Sequence, residues 1–403
     1  ILAANQSLAV AAKDTLLLQL TVTPGANLGP YNNTAVASGQ SPSGDDVNDN
    51  SDNGSNTSGD NGAGTNDDAT PVTFTEAPAI GVAKAMTNVT NNGDGSYALT
   101  YTFNLKNTGD IALANVQVVD DLMATFQNQN IYTITSLSSA SLMVNSAFNG
   151  DSDTNLLAAN QSLVLGASDI ITLVLELTPA GNLGPYNNSA LASGVSPSGN
   201  SIDDTSDNGI DPEGNNGEGG LDDSTPITFT EAPAIGIAKL LVAEPVNNSD
   251  GTYNLSYQLV VENIGDISLS NVQIVEDLRA TFPAPATFVV NALSANTLTV
   301  NADFDGESDS NILAANQSLA VAAKDTLLLS LTVTPGSNLG PYNNTVVASG
   351  QSPSGADVND DSDNGANTIG DNGDGTDNDP TPVTFTEAPA IGVAKTVSGE
   401  IVP

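Results

Sequence analysis

The residues with the clearest chemical signature are oxygen donors at fixed spacing. Asp49, Ser51, Asn53 and Gly54 occupy positions one, three, five and six of a D-x-S-x-N-G run, with Asp60 at position twelve. The run returns as Asp204, Ser206, Asn208 and Gly209 with Asn215 twelfth, and as Asp360, Ser362, Asn364 and Gly365 with Asp371 twelfth. Alternate oxygens, a glycine for the sharp turn and a closing twelfth ligand are what a calcium ion asks of a loop. Further acids match across the three runs: Asp52, Asp207 and Asp363, then Asp68, Asp223 and Asp379. Asp67, Asp203 and Asp222 lie directly beside these candidates. A second acidic run, Asn301, Asp303, Asp305 and Asp309 around Gly306, repeats the alternation, but its other copy carries Ala147 where Asp303 stands.

The expected cofactor is therefore calcium. Position twelve lacks the bidentate glutamate of a tight site, so the expected affinity is modest. Magnesium suits such a loop less well, because it keeps more of its water. The same composition also fits a solvated linker that binds nothing. Adjacent acids such as Asp67-Asp68 are poor evidence for a catalytic pair, which needs two carboxylates placed across a cleft.

Composition narrows the chemistry further. The 403 residues include 47 Asp plus Glu against 7 Lys plus Arg, a formal net charge of −40, with no His, Cys or Trp. Histidine- or cysteine-based nucleophile systems are excluded, as are their zinc, copper and iron sites. Nucleic acid is not an expected partner, because seven scattered cations make no phosphate-binding footprint. Nothing approaches a run of about 18 apolar residues, so no transmembrane segment is expected. The charge is also focused. Residues 41–70, 196–225 and 352–381 hold 23 of the 47 acids and no Lys or Arg.

The elements that must position these acids recur with the acids themselves. Residues 1–18 return verbatim as 312–329, and the segment TFTEAPAIGVAK ends at Lys84, at Lys395 and, with Ile237 for valine, at Lys239. A period of 155 or 156 residues is a domain and not a solenoid turn. The expected division is 1–76 for the C-terminal part of one repeat, 77–231 and 232–387 for complete repeats, and 388–403 for the first strand of another. Within a repeat the local signals are strands. Tyr97, Leu99, Tyr101, Phe103 and Leu105 alternate on one face of residues 97–106. Further strands are expected at 79–84, 115–119, 131–135, 142–145 and 170–177, and at 15–23, 31–38 and 71–75. No helix is expected. Short strands separated by Asn, Asp and Gly turns predict an all-β chain of tandem two-sheet sandwiches with long acidic loops.

The runs YTFNLKNTGDIALANVQVVDDL, from Tyr101, and YQLVVENIGDISLSNVQIVEDL, from Tyr257, resemble the N-x-G … L-x-N-V-x-V-x-D-x-L core of the bacterial conserved-repeat surface domain. The run GPYNNTAVASG, from Gly29, resembles that family's closing strands. The resemblance implies an immunoglobulin-like sandwich, found in tandem in exported proteins and adhesins. It supplies no catalytic residues. The expectation is a non-enzymatic extracellular stalk or filament subunit, self-associating and stiffened by calcium. The alternative is an adhesin-type module that recognises glycan or protein through its loops.

Overall fold

The computed structural model describes residues 1–57, 67–127, 131–179, 181–214, 222–369 and 378–399. It is built almost entirely of strands. In residues 77–231 one sheet runs Asp207–Asn208, Ile80–Asn91, Tyr97–Asn107, Ser168–Thr178, Ile131–Ser139. The facing sheet runs Ser201–Thr205, Ala190–Val195, Leu113–Asp120, Gln161–Leu163. All pairings are antiparallel except one: Asp207–Asn208 lies parallel to Ala83 and Lys84. Residues 232–387 repeat this order, with Val246–Asn247 added against Tyr253–Asn263. The fold is thus a two-sheet, immunoglobulin-like sandwich, given twice.

Period-two patterning explains the sheets. Every second residue of Tyr97–Asn107 is buried, and the inward set meets Val116, Val118, Ala192 and Leu163 from the facing sheet in one core. An equivalent core joins Tyr257, Leu259 and Val261 to Val272, Ile274 and Ala348. Each core is distinct, which is how a tandem array keeps its folding units separate.

Several local expectations change. The strands are longer than predicted at their paired ends, as with Ile80–Asn91. The segment 31–38 divides into Tyr31–Asn33 and Val36–Gln40, which pair with different partners. Residues 142–145 form no strand but one isolated bridge, Val144 to Leu157. Two short helices, Leu122–Phe126 and Leu278–Thr281, appear where none was expected. Asp121 and Asp277 cap them, accepting from the N–H groups of Ala124 and Ala280 at 2.8 Å. The segment 15–23 forms no strand, although its copy in Lys324–Thr334 does. That copy lies between Tyr253–Asn263 and Thr287–Ala295, and residues 15–23 have no such neighbours in this chain. Residues 388–399 likewise carry no strand.

Candidate functional site

The long acidic segments are strands before they are loops. Asp49 lies in Asp46–Asn50, Asp203 and Asp204 in Ser201–Thr205, and Asp360 in Asp357–Asp361. The ligand-like spacing serves backbone groups. Asp204 accepts from the Val82 N–H at 2.7 Å, and Asp360 from Ile237 at 2.8 Å. Ser51, Ser206 and Ser362 accept from Ala35, Ala190 and Val346 at 2.9–3.1 Å. Asp52 accepts from the N–H of Asp67 at 2.6 Å, Asp207 from Asp222 at 2.7 Å, and Asp363 from Asn378. Asp67, Asp222 and Asn378 all have positive φ, a conformation that Asp and Asn tolerate best among non-glycine residues. Each of these bonds spans fifteen residues and closes the base of its loop.

Asn208 and Asn364 end the short strands Asp207–Asn208 and Asp363–Asn364, and Asn53 holds the equivalent position outside a strand. Asp68, Asp223 and Asp379 lie two residues before Thr70–Val72, Thr225–Ile227 and Thr381–Val383. Asp60, Asn215 and Asp371 lie outside the described residues. Among the described residues, no three His, Cys, Asp or Glu side chains are grouped so as to hold a metal ion. The carboxyl of Asp204 is nonetheless held above its ordinary value, first by desolvation and then by Asp207, Asp222 and Asp203, against the donated Val82 N–H.

The shorter acidic run is a self-bonded turn. Asp305 accepts from the backbone N–H groups of Glu307, Ser308 and Asp309 at 2.8–2.9 Å and from the Ser308 hydroxyl. Asn301 donates to Asp309 at 2.9 Å and accepts from the Asp303 N–H at 3.1 Å. The other copy keeps the same form with Asn149 in place of Asp305. Both turns pack Gly150 or Gly306 against a leucine, where a Cβ would lie 2.6 or 2.4 Å from the Leu122 or Leu278 side chain.

Sequence reasoning missed a different group of residues, deep in each sandwich. Lys84 is fully buried at the end of the apolar run beginning at Ile80, and its Nζ lies 2.8 Å from Oδ2 of the equally buried Asp120. Lys239 and Glu276 form the same pair in the next repeat. Buried Asn188 and Asn344 complete each group. The hydroxyl of Thr125 donates to Oδ1 of Asn188 at 2.9 Å, and that of Thr281 to Oδ1 of Asn344 at 3.0 Å.

Three strands converge here. Asp120 ends Leu113–Asp120, and Asn188 ends Tyr186–Asn188, which pairs with Thr225. The Thr225 hydroxyl donates to the Lys84 carbonyl at 2.8 Å, and the Gly209 N–H donates to the same oxygen at 2.9 Å. The acidic segment is therefore fastened around the strand that carries the lysine. Lys84 also lies over the Tyr101 ring, 4.7 Å from its centroid, as Lys239 lies over Tyr257 at 4.5 Å.

The electrostatics are costly. Desolvation pushes both lysines down to about 8, against the pull of their acids. It raises Asp120, although Lys84 and Asn188 pull that carboxyl back, and it raises Glu276 against Lys239 and Asn344. Buried Asp120 Oδ1, Asn188 Nδ2 and the Tyr101 hydroxyl have no hydrogen-bond partner, and Glu276 Oε1, Asn344 Nδ2 and the Tyr257 hydroxyl repeat the pattern. An unsatisfied buried group costs about 1–3 kcal/mol, and a buried ion pair seldom repays its own desolvation. One signal was legible. Lys84, Lys239 and Lys395 are three of the chain's seven cations, each at the same repeat position after alternating apolar residues.

No family model matches the chain, and no curated protein does. Among solved structures it is similar to the full-length major pilin SpaD of Corynebacterium diphtheriae, at 11% identity and a TM-score of 0.25. That match covers 67% of this chain and 56% of the pilin, so the chain spans a little over half of that protein's length. The major pilin subunit BcpA of Bacillus cereus matches at 8% identity and a TM-score of 0.27, over 85% of this chain and 82% of that one. The C-terminal domain of the AgI/II polypeptide BspA of Streptococcus agalactiae matches at 10% identity and 0.22, over 69% and 97%. The fold assignment stands on the sheets themselves. No helix among the described residues is long and apolar enough to cross a membrane.

Proposed function

We propose that this chain is a stretch of a non-enzymatic extracellular structural protein, a tandem-repeat stalk or filament subunit with fixed joints. The observation that carries the reading is the link between repeats. The Tyr253 hydroxyl donates to the Thr386 carbonyl at 3.0 Å and the Tyr97 hydroxyl to the Thr230 carbonyl at 2.8 Å, so each exit strand is tied to the repeat it leaves. The next residue, Glu231, accepts from the Ser354 hydroxyl of the following repeat, and the Ala232 N–H donates to Asp266 at 2.6 Å. Three consecutive residues are thus held from both sides, leaving no free hinge. Glu76 and Ala77 make the same contacts with Ser198 and Asp110. Across the joint, the Ser268 N–H donates to the Gly93 carbonyl at 2.8 Å, and Gly93 and Gly95 face Val321 and Pro353, where an added Cβ would lie 3.2 and 3.1 Å from those side chains. Near-identical joints repeat one angle, as a rod or fibre requires.

Small-angle scattering tests this reading. The Ser354→Ala, Asp266→Ala double variant is expected to keep its strand content and to broaden the distribution of inter-repeat distances. An unchanged distribution removes the fixed joint as the basis of function.

Calcium in the acidic loops is the finer part of the proposal. It is supported by the concentration of acids there and by Asp204, which desolvation raises first and the repulsion of Asp207, Asp222 and Asp203 raises further. A divalent cation relieves such repulsion and stabilises the folded state by an amount that grows with the logarithm of its concentration. Thermal unfolding is expected to shift upward with millimolar calcium and back with chelator. A flat response rejects calcium and leaves the joint unaffected.

A further inference from the structure

We propose that each complete repeat forms an internal covalent cross-link, an amide between the lysine Nζ and the asparagine Cγ, joining Lys84 to Asn188 and Lys239 to Asn344. The inference is independent of calcium and of the joints. It rests on three juxtaposed groups: a buried amine nucleophile, a buried carboxamide and a carboxyl beside both.

The chemistry balances without any co-reactant. Burial lowers the affinity of Lys84 for its proton and raises that of Asp120, which eases transfer of the proton from Nζ to Oδ2 across the 2.8 Å contact. The neutral amine attacks Cγ of Asn188, and the charge that develops on Oδ1 is met by the Thr125 hydroxyl already donating to it. The unpartnered Nδ2 receives protons through Asp120 and leaves as ammonia when the Cγ–Nδ2 bond breaks. The products are a secondary amide and one ammonia, and the proton first taken from Nζ leaves with the ammonia as ammonium, so the carboxylate returns to its starting state. Glu276, Thr281 and Asn344 occupy the same roles around Lys239. The second repeat substitutes Glu for Asp at the proton-transfer position and keeps Lys, Asn and Thr, as expected if the first two form the bond and the acid only moves protons.

An ion pair between Lys84 and Asp120 does not by itself call for a buried carboxamide beside the carboxyl, as Asn188 and Asn344 supply. The cross-link joins the first long strand of a sandwich to a late one, so tension on a repeat falls on a covalent bond. It also occurs in a chain with no cysteine.

Intact-mass spectrometry of the purified full chain tests this directly. The expected mass is lower than the sequence mass by two molecules of ammonia, one per repeat, and proteolysis should release a branched peptide containing Lys84 and Asn188. A mass equal to that of the sequence, with separate peptides carrying free Lys84 and intact Asn188, overturns the proposal. Lys84→Met should restore one ammonia. Asn188→Asp gives a sharper check because its fold need change little: the cross-link then forms with loss of water, and the product has the same mass as the cross-linked wild type. Asp120→Asn should leave Lys84 and Asn188 unlinked while circular dichroism still reports strand. A linked Asp120→Asn product removes the assigned proton-transfer role.

Discussion

Asp169 and Asp325 show a role that several of this chain's acids share. Each is the second residue of a central strand, Ser168–Thr178 or Lys324–Thr334, and accepts from several backbone N–H groups: Ser141, Leu142 and Ile170 for Asp169, and Asn296, Thr297, Leu298 and Thr326 for Asp325. Desolvation opposes ionisation at both sites. The donated hydrogen bonds outweigh it, and both carboxyls are held below their ordinary value. A depressed native value means that the unfolded chain binds the proton more tightly, so the stabilisation is present above about pH 4 and is lost as pH falls through the native value. Resistance to urea should therefore fall on acidification below about pH 4, and Asp325→Ala should flatten this dependence. At neutral pH the substitution should cost about 1–3 kcal/mol, because it strands buried donors. The oxygens at regular offsets in the long acidic segments share this role. Their spacing was legible as a ligand pattern, yet Asp204, Ser206 and Asp207 each satisfy a named backbone N–H. Alternation suits a β-strand as well as a coordination shell, so sequence alone does not separate the two.

At the scale of elements, the strands were the legible part. Tyr97–Asn107 alternates cleanly because one face meets the facing sheet. The helices were not legible, because four or five residues hold too little periodicity to read. Nor was the path of the acidic segment, which depends on contacts distant in sequence. It folds back over Gly81, where a Cβ would lie 1.9 Å from the Pro212 carbonyl oxygen, and over Gly236, 2.1 Å from that of Thr368. Asn104 and Lys106 hold the returning segment through Ile210 and Glu213. Gly81→Ala should therefore displace residues 209–214. Hydrogen exchange is expected to show faster exchange at Gly209, whose N–H donates to Lys84, while the Tyr97–Asn107 amides stay protected. Unchanged exchange at Gly209 would show that the close approach is not required.

At the scale of the whole molecule, the two sandwiches and their joint turn sequence repetition into repeated geometry. The verbatim repeat separates what the sequence dictates from what the tertiary structure decides. Leu18 is 66% exposed and its copy Leu329 is 0% exposed, although the eighteen residues from Ile1 and from Ile312 are the same. Limited proteolysis should cut residues 1–23 early and spare 312–334, and equal rates at the two copies would contradict the described difference in burial. The alternation of Leu16, Leu18, Leu20 and Val22 specifies a face that is capable of burial. It does not bury itself, because a strand gains its ladder bonds and its core only from neighbours. The order of strands, the repeat period and the focusing of acid were thus written in the chain. The meeting of Lys84, Asp120 and Asn188 was not, since those residues lie on three separate strands that only the closed sandwich brings together.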